Sequence, residues 1–110
     1  TNIEKQNLLK LAKESEALGA KAVLLECVTT DTAKLITENI SIPTIGIGAS
    51  KYCDGQVLVF DDLINLTTNE KKPKFVKNYF DFNKIASNVV KKYNREVKLK
   101  KFPTAKFTYN

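Results

Sequence analysis

The chain has 110 residues, 43% of them hydrophobic and 27% charged, which suits one globular domain with a modest core and excludes a disordered chain. Two cysteines and no histidine exclude a zinc site of the Cys/His type, and no apolar run is long enough to cross a membrane as a helix. The net charge of +6 is uneven: residues 1–70 hold 6 Lys+Arg against 10 Asp+Glu, and residues 71–110 hold 12 against 2.

Residues 3–18 read as a helix, with Leu8, Leu11, Ala12, Ser15 and Leu18 at three- and four-residue spacing on one core-facing stripe. Gly19 supplies the left-handed stop. The stretch "AVLLECV" at 22–28 is too short for a helix. Its near-continuous apolar character suits a strand covered on both faces. Thr29, Thr30 or Asp31 can cap the next helix, which runs to about Asn39 with Ala33, Ile36 and Ile40 on its buried side. Pro43 then opens a second buried strand, Thr44 to Ile47. "DGQVLVF" gives a turn and a third strand from Gln56 to Phe60, ending at the adjacent carboxylates Asp61 and Asp62. Helix and strand alternating with short connections is the pattern of an α/β protein with a parallel sheet.

The remainder is helical and basic. Pro73 suits a helix start, with Phe75, Val76, Tyr79 and Phe80 on one face. "NKIASNVVKKYNREV" reads as a further helix carrying Ile85, Val89 and Tyr93 four apart, with Ala86 and Val90 beside them. The tail has no period. A basic surface can attract polyanions, but these lysines run along helices without interleaved stacking aromatics and glycines, so nucleic acid is not an expected partner. The N-terminus "TNIEKQNLLK" lacks the basic-then-apolar pattern of a secretory leader. With two reduced thiols, that composition points to a cytoplasmic protein without a membrane partner. The chain contains no methionine, as expected of a processed or truncated chain or a fragment.

One residue interrupts the first strand. Glu26 sits at the end of a run of apolar side chains, where a carboxylate is expected to have a partner or a task. In parallel α/β proteins, ligands bind beyond the C-terminal ends of the strands. A carboxylate partly desolvated there becomes a better base; the structural alternative is a Glu paired with a Lys at the rim. Gly46 and Gly48 in "IGIGAS" do not complete a dinucleotide fingerprint. They either help to hold an anion or permit close backbone approach.

"LLECVTTDTAKLITENISIPTIGIGAS" followed by "DGQVLVFDD" resembles the C-terminal part of the ketopantoate hydroxymethyltransferase family. "PKFVKNY" and "FPTAKFTY" fall at the family's spacing, so the resemblance runs from about Leu8 to Tyr109. It implies the last three strand–helix units, strands six to eight, of a (β/α)8 barrel of the phosphoenolpyruvate/pyruvate type. Residues 1–70 would supply strands and helices, and residues 71–110 the C-terminal helices and tail of one partial barrel domain. The implied activity is transfer of a hydroxymethyl group from methylenetetrahydrofolate, the co-substrate, to the keto acid 3-methyl-2-oxobutanoate. Glu26 matches the family's LECV glutamate and inherits a proton-transfer or substrate-binding role, with Gly46 and Gly48 as weaker substrate-binding candidates. The family's Mg2+ ligands lie in an N-terminal part that this chain lacks. No metal ligand is therefore expected here, and the chain alone should be inactive. The resemblance also implies a homo-oligomer of full-length subunits. Departures are Ser50 for a family glycine, Asp61 for a common histidine, and Lys106–Phe107 for Glu-His. A lyase or mutase of the same barrel superfamily, or a non-catalytic anion-binding module, is the rival reading.

Overall fold

A computed structural model describes residues 1–66 and 71–109 of the chain. Its elements are α1 (Asn2–Ala17), β1 (Val23–Glu26), α2 (Thr30–Thr37), β2 (Thr44–Ile47), β3 (Gly55–Gln56), α3 (Phe60–Leu63), α4 (Phe82–Lys98) and a 3-10 turn at Ala105–Phe107. Two compact units result. One holds Thr1–Val59 with Lys71–Val76, and the other holds Phe60–Glu70 with Lys77–Asn110.

The first unit is built on a three-stranded parallel sheet of order β1-β2-β3. Leu25 of β1 packs with Ala12 of α1, Ala33 and Ile36 of α2, and Cys53, all buried, while Leu9, Val23, Val28, Ile40 and Ala49 close around them. The face of α1 turned inward is therefore Leu9 and Ala12. Leu8, Leu11 and Leu18, expected on the core stripe, are exposed. Helix α1 carries three leucines, with Leu18 just past its end, and can bury only one stripe about 100° wide against a single neighbouring layer. Strand β1 differs from expectation in the same way. Leu25 is 6% exposed but Leu24 is 56% exposed, so among the described residues the sheet is covered on one face only.

Helix α1 ends as the sequence indicates. Gly19 has φ +94, and the N–H groups of Gly19 and Ala20 donate to Glu16 and Ser15 in a Schellman arrangement. Its side chain Glu16 also accepts the Ser41 N–H at 2.7 Å, tying the helix to the segment that leads into β2.

The third strand is shorter than expected. Pairing stops at Gln56, apart from one more bond from the Val57 N–H to the Gly46 carbonyl. Strand β2 has only four residues, so the ladder runs out of partners. The chain then turns into α3, where Asp61 and Asp62 occupy the first helical turn instead of a strand end; carboxylates are favoured at that end of a helix dipole. The link from β2 to β3 also lacks a helix. Its residues 48–54 can stretch about 23–25 Å, well beyond the roughly 13 Å rise of a four-residue strand, so no helix is needed to return the chain.

Two carbonyl–amide bonds explain why Pro73 does not open a helix. Val76 donates to Pro73 in a single turn, after which Tyr79 donates to Leu63 and Phe82 to Ile64. The backbone donors of 79 and 82 are spent on the α3 end, not on a helical ladder. The helix begins at Phe82, with the Asp81 carboxylate accepting the Lys84 N–H. It ends with Lys100 at φ +51 and a second Schellman pair, Lys100 to Val97 and Lys101 to Glu96. In the tail, Phe102 lies edge-on to Tyr93 at 5.6 Å and tilted against Phe107 at 5.9 Å.

The N-terminal end of the sheet is fastened by a polar knot around fully buried Thr44. The Asp54 carboxylate accepts the Thr44 N–H at 2.8 Å and the Thr44 hydroxyl at 3.0 Å, while the Asp54 N–H donates back to Thr44 Oγ1. Thr37 Oγ1 is 2.8 Å from Thr44 Oγ1 and donates to the Ala33 carbonyl. Thr44→Val keeps the shape and removes the hydroxyl, leaving the Asp54 N–H unsatisfied. A loss of about 1–3 kcal/mol in chemical denaturation is expected. The Thr44 N–H, and then its hydroxyl, hold the Asp54 carboxyl below its ordinary value. A carboxyl lowered on folding stabilises the fold above its unfolded value and loses that contribution as pH falls through the lower folded value. Wild type should therefore lose more thermal midpoint than Asp54→Asn on acidification from pH 5 toward pH 2. Parallel curves for the two proteins would contradict the assignment.

Candidate active site at the C-terminal ends of the strands

Side chains alternate along a strand, so the register of β1 and β2 sorts them by face. Val23, Leu25, Thr44 and Gly46 face the helices. Leu24, Glu26, Ile45 and Ile47 share the opposite face, with Glu26 beside Ile47 at the C-terminal end. Glu26 is thus exposed, not partly buried as the apolar run suggests, because nothing among the described residues covers that face. No Lys or Arg among the described residues pairs with it.

The residue after Glu26 is unusual. Cys27 has φ +53, a left-handed conformation that costs a non-glycine residue about 1–2 kcal/mol. Its N–H still donates to the Ile47 carbonyl at 2.9 Å, so the ladder is kept while the chain turns sharply into residues 28–30. No sequence signal marks this position, since cysteine has no special preference for the left-handed region. Strain of this kind collects at functional sites.

Two clefts open at this end of the first unit. In the first, of about 730 Å³, Glu26 meets the first turns of α1 and α2, with Glu4, Asn7 and Asp31 among its walls. In the second, of about 680 Å³, the 48–51 loop meets the Lys74–Phe75 turn. Cys27, Val28 and Thr29 line both.

The two glycines differ in their surroundings. Gly48 stands at the second cleft with φ +60, and a Cβ there would fall 2.5 Å from the Phe75 ring. Gly46 lies on the helix-facing side of β2, where a Cβ would meet Gln56 Oε1 at 2.9 Å and Cys53 Sγ at 3.1 Å. Close approach is thus seen at both. Ser50, which replaces a family glycine, is buried and does not need a positive φ. Its hydroxyl accepts the Tyr52 N–H, and its carbonyl accepts the Gln56 side-chain amide at 2.7 Å and the Cys53 N–H. Phe75 and Gln56 are underrated by the sequence pattern, which places Phe75 on a helix face and Gln56 at the start of a strand. Among the described residues, no group of three or more His, Cys, Asp or Glu is placed to hold a metal. Nor is any helix among them long and apolar enough to cross a membrane.

Comparison with known proteins fits this arrangement. The family described as ketopantoate hydroxymethyltransferase matches residues 1–105. The chain is 49% identical over 105 residues to a 3-methyl-2-oxobutanoate hydroxymethyltransferase of Thermosipho melanesiensis, covering 96% of this chain and 39% of the relative. A protein of that name from Thermosipho africanus is 51% identical over 100 residues, 91% of this chain and 37% of its own. One from Pelagibacter ubique is 45% identical over 106 residues, 96% of this chain and 40% of its own. The chain spans about two fifths of the length of these curated relatives.

Proposed function

The chain belongs to the ketopantoate hydroxymethyltransferase family, and from that membership we propose that it is part of an enzyme moving a hydroxymethyl group from methylenetetrahydrofolate to 3-methyl-2-oxobutanoate. The product is ketopantoate, a precursor in pantothenate biosynthesis. We read β1, β2 and β3 as strands six, seven and eight of a phosphoenolpyruvate/pyruvate-type barrel, with residues 1–110 belonging to one barrel domain. A cytoplasmic homo-oligomer goes with this reading.

The observation that supports it best is Glu26: a carboxylate without an ion-pair partner among the described residues, at the C-terminal end of a parallel strand, on the face away from the helices, beside strained backbone. The keto acid must lose the proton on the carbon next to its carbonyl before that carbon can form a new bond. Glu26 accepts this proton. The donor's methylene carbon is held by two folate nitrogens. One carbon–nitrogen bond breaks toward its nitrogen as the enolate's electron pair forms the new carbon–carbon bond. The other breaks toward its nitrogen as water's oxygen bonds the same carbon, and the two nitrogens take up the proton from the keto acid and one proton from water. In this reading Gly48 brings backbone close to the bound substrate, and Gly46 lets β2 approach Gln56 and Cys53. No step assigned to these residues runs through a metal.

The test is an assay of the protein at its full natural length with methylenetetrahydrofolate and 3-methyl-2-oxobutanoate. Folate-dependent ketopantoate formation is expected. Folate-independent cleavage of a carbon–carbon bond would favour a lyase instead. Residues 1–110 alone are expected to give no turnover, since they span only about two fifths of the length of the curated relatives; metal-dependent turnover by the purified 110-residue chain would contradict this.

A further inference from the structure

The two clefts that share Cys27, Val28 and Thr29 are lined by opposite charges. The first carries the carboxylates Glu4, Glu26 and Asp31, with Lys5 and the Thr1 ammonium, which pairs with Glu4, as its cations. The second has no carboxylate in its lining and two lysines, Lys51 and Lys74. Its walls are also firmly built. Gln56 and Ser50 fasten the 48–51 loop from within, and the Phe75 ring packs directly over Gly48. Lys51 also lies 5.5 Å from the Tyr52 ring, within cation–π range, and no acidic partner neutralises Lys51 or Lys74 among the described residues.

We propose that this second cleft is the binding site of the one-carbon donor, with Lys51 and Lys74 receiving the glutamyl carboxylates of a folate and Phe75 supporting its ring system. The inference rests on the transferase reading above and deepens it by assigning the second substrate. A volume of about 680 Å³ lies within the range of small-molecule pockets, about 300–1,000 Å³, and suits an aromatic ligand with an acidic tail. The shared Cys27–Thr29 wall puts such a donor beside the cleft where Glu26 takes the proton. A folate carries at least two carboxylates and the keto acid one, so the acid-lined cleft repels the folate more strongly, and the lysine-edged cleft attracts it.

The experiment uses the protein at its full natural length and the double variant Lys51→Glu with Lys74→Glu, alongside the milder Lys51→Gln with Lys74→Gln. Tetrahydrofolate carrying one or three glutamyl groups is titrated directly by fluorescence, at low and high salt. Exchange of the keto acid's proton with deuterium is followed separately without folate. Each exposed ion pair contributes about 0.2–1 kcal/mol, so the Gln pair should weaken folate binding by about 2–30-fold. The Glu pair should weaken it more, with a larger effect for the triglutamate and at low salt. Keto-acid proton exchange should stay within twofold of wild type. Unchanged folate binding in the Glu pair, or a loss confined to the keto acid, would overturn the assignment. Lack of proton exchange in wild type with intact lysine-dependent folate binding would reject the transferase reading and leave the folate site standing.

Discussion

Glu26→Gln in the full-length protein should lower turnover by about 10²–10⁴ while leaving the thermal midpoint nearly unchanged. General-base catalysis is typically worth that factor, and glutamine keeps the size and polarity of the side chain while removing the basic oxygen. Glu26 is exposed and pairs with no cation among the described residues, so the substitution breaks no ion pair with them. Exposed positions of this kind usually change stability by less than about 0.5 kcal/mol. Keto-acid KM should move less than kcat, because the lost interaction develops only as the proton transfers. The opposite pattern, a large drop in midpoint with turnover per folded molecule intact, would assign Glu26 to structure.

Gly48→Ala should be the most destabilising single substitution at this end of the sheet. Two costs act together. A left-handed φ of +60 costs an alanine about 1–2 kcal/mol. Its Cβ would also lie 2.5 Å from Phe75 Cδ1 and 2.6 Å from Cγ, and forcing extra volume into a packed site costs about 1–3 kcal/mol. A total of about 2–5 kcal/mol is expected in chemical denaturation. Gly46→Ala should cost less: its backbone is ordinary, and the nearest atom, Gln56 Oε1, is the end of a flexible side chain. The two costs at Gly48 can be separated with Phe75→Ala. In that background the ring is gone, so Gly48→Ala should cost only the conformational part, and the difference is the coupling between the two residues. Equal costs in both backgrounds would show that the ring does not rest on Gly48.

The parallel sheet and its helices were legible because the relevant signals are local. Apolar runs of strand length and Gly19 after α1 each act within a few residues, and each appears where the sequence put it, whereas Thr29 stands at the start of α2 but gives its hydroxyl to the Thr32 side chain and not to a cap bond. Glu26 was legible as the one carboxylate in an apolar strand. What could not be read depends on partners distant in sequence. The length of β3 is limited by the four residues of β2, and the segment after Pro73 is drawn out of helix by bonds to Leu63 and Ile64. Which leucines of α1 face inward depends on how many layers cover the helix, which periodicity does not report. The left-handed Cys27 has no sequence mark, and the nearness of Phe75 to Gly48 joins residues 27 apart in the chain.

The central claim is that Glu26 takes the proton from the keto acid, and deuterium exchange tests it without the rest of the reaction. The full-length protein is incubated with 3-methyl-2-oxobutanoate in deuterated buffer without folate, and loss of the proton next to the carbonyl is followed by NMR. Wild type should exchange that proton, and Glu26→Gln should do so about 10²–10⁴ more slowly with its fold intact. Exchange at the wild-type rate in the Gln variant would contradict the account.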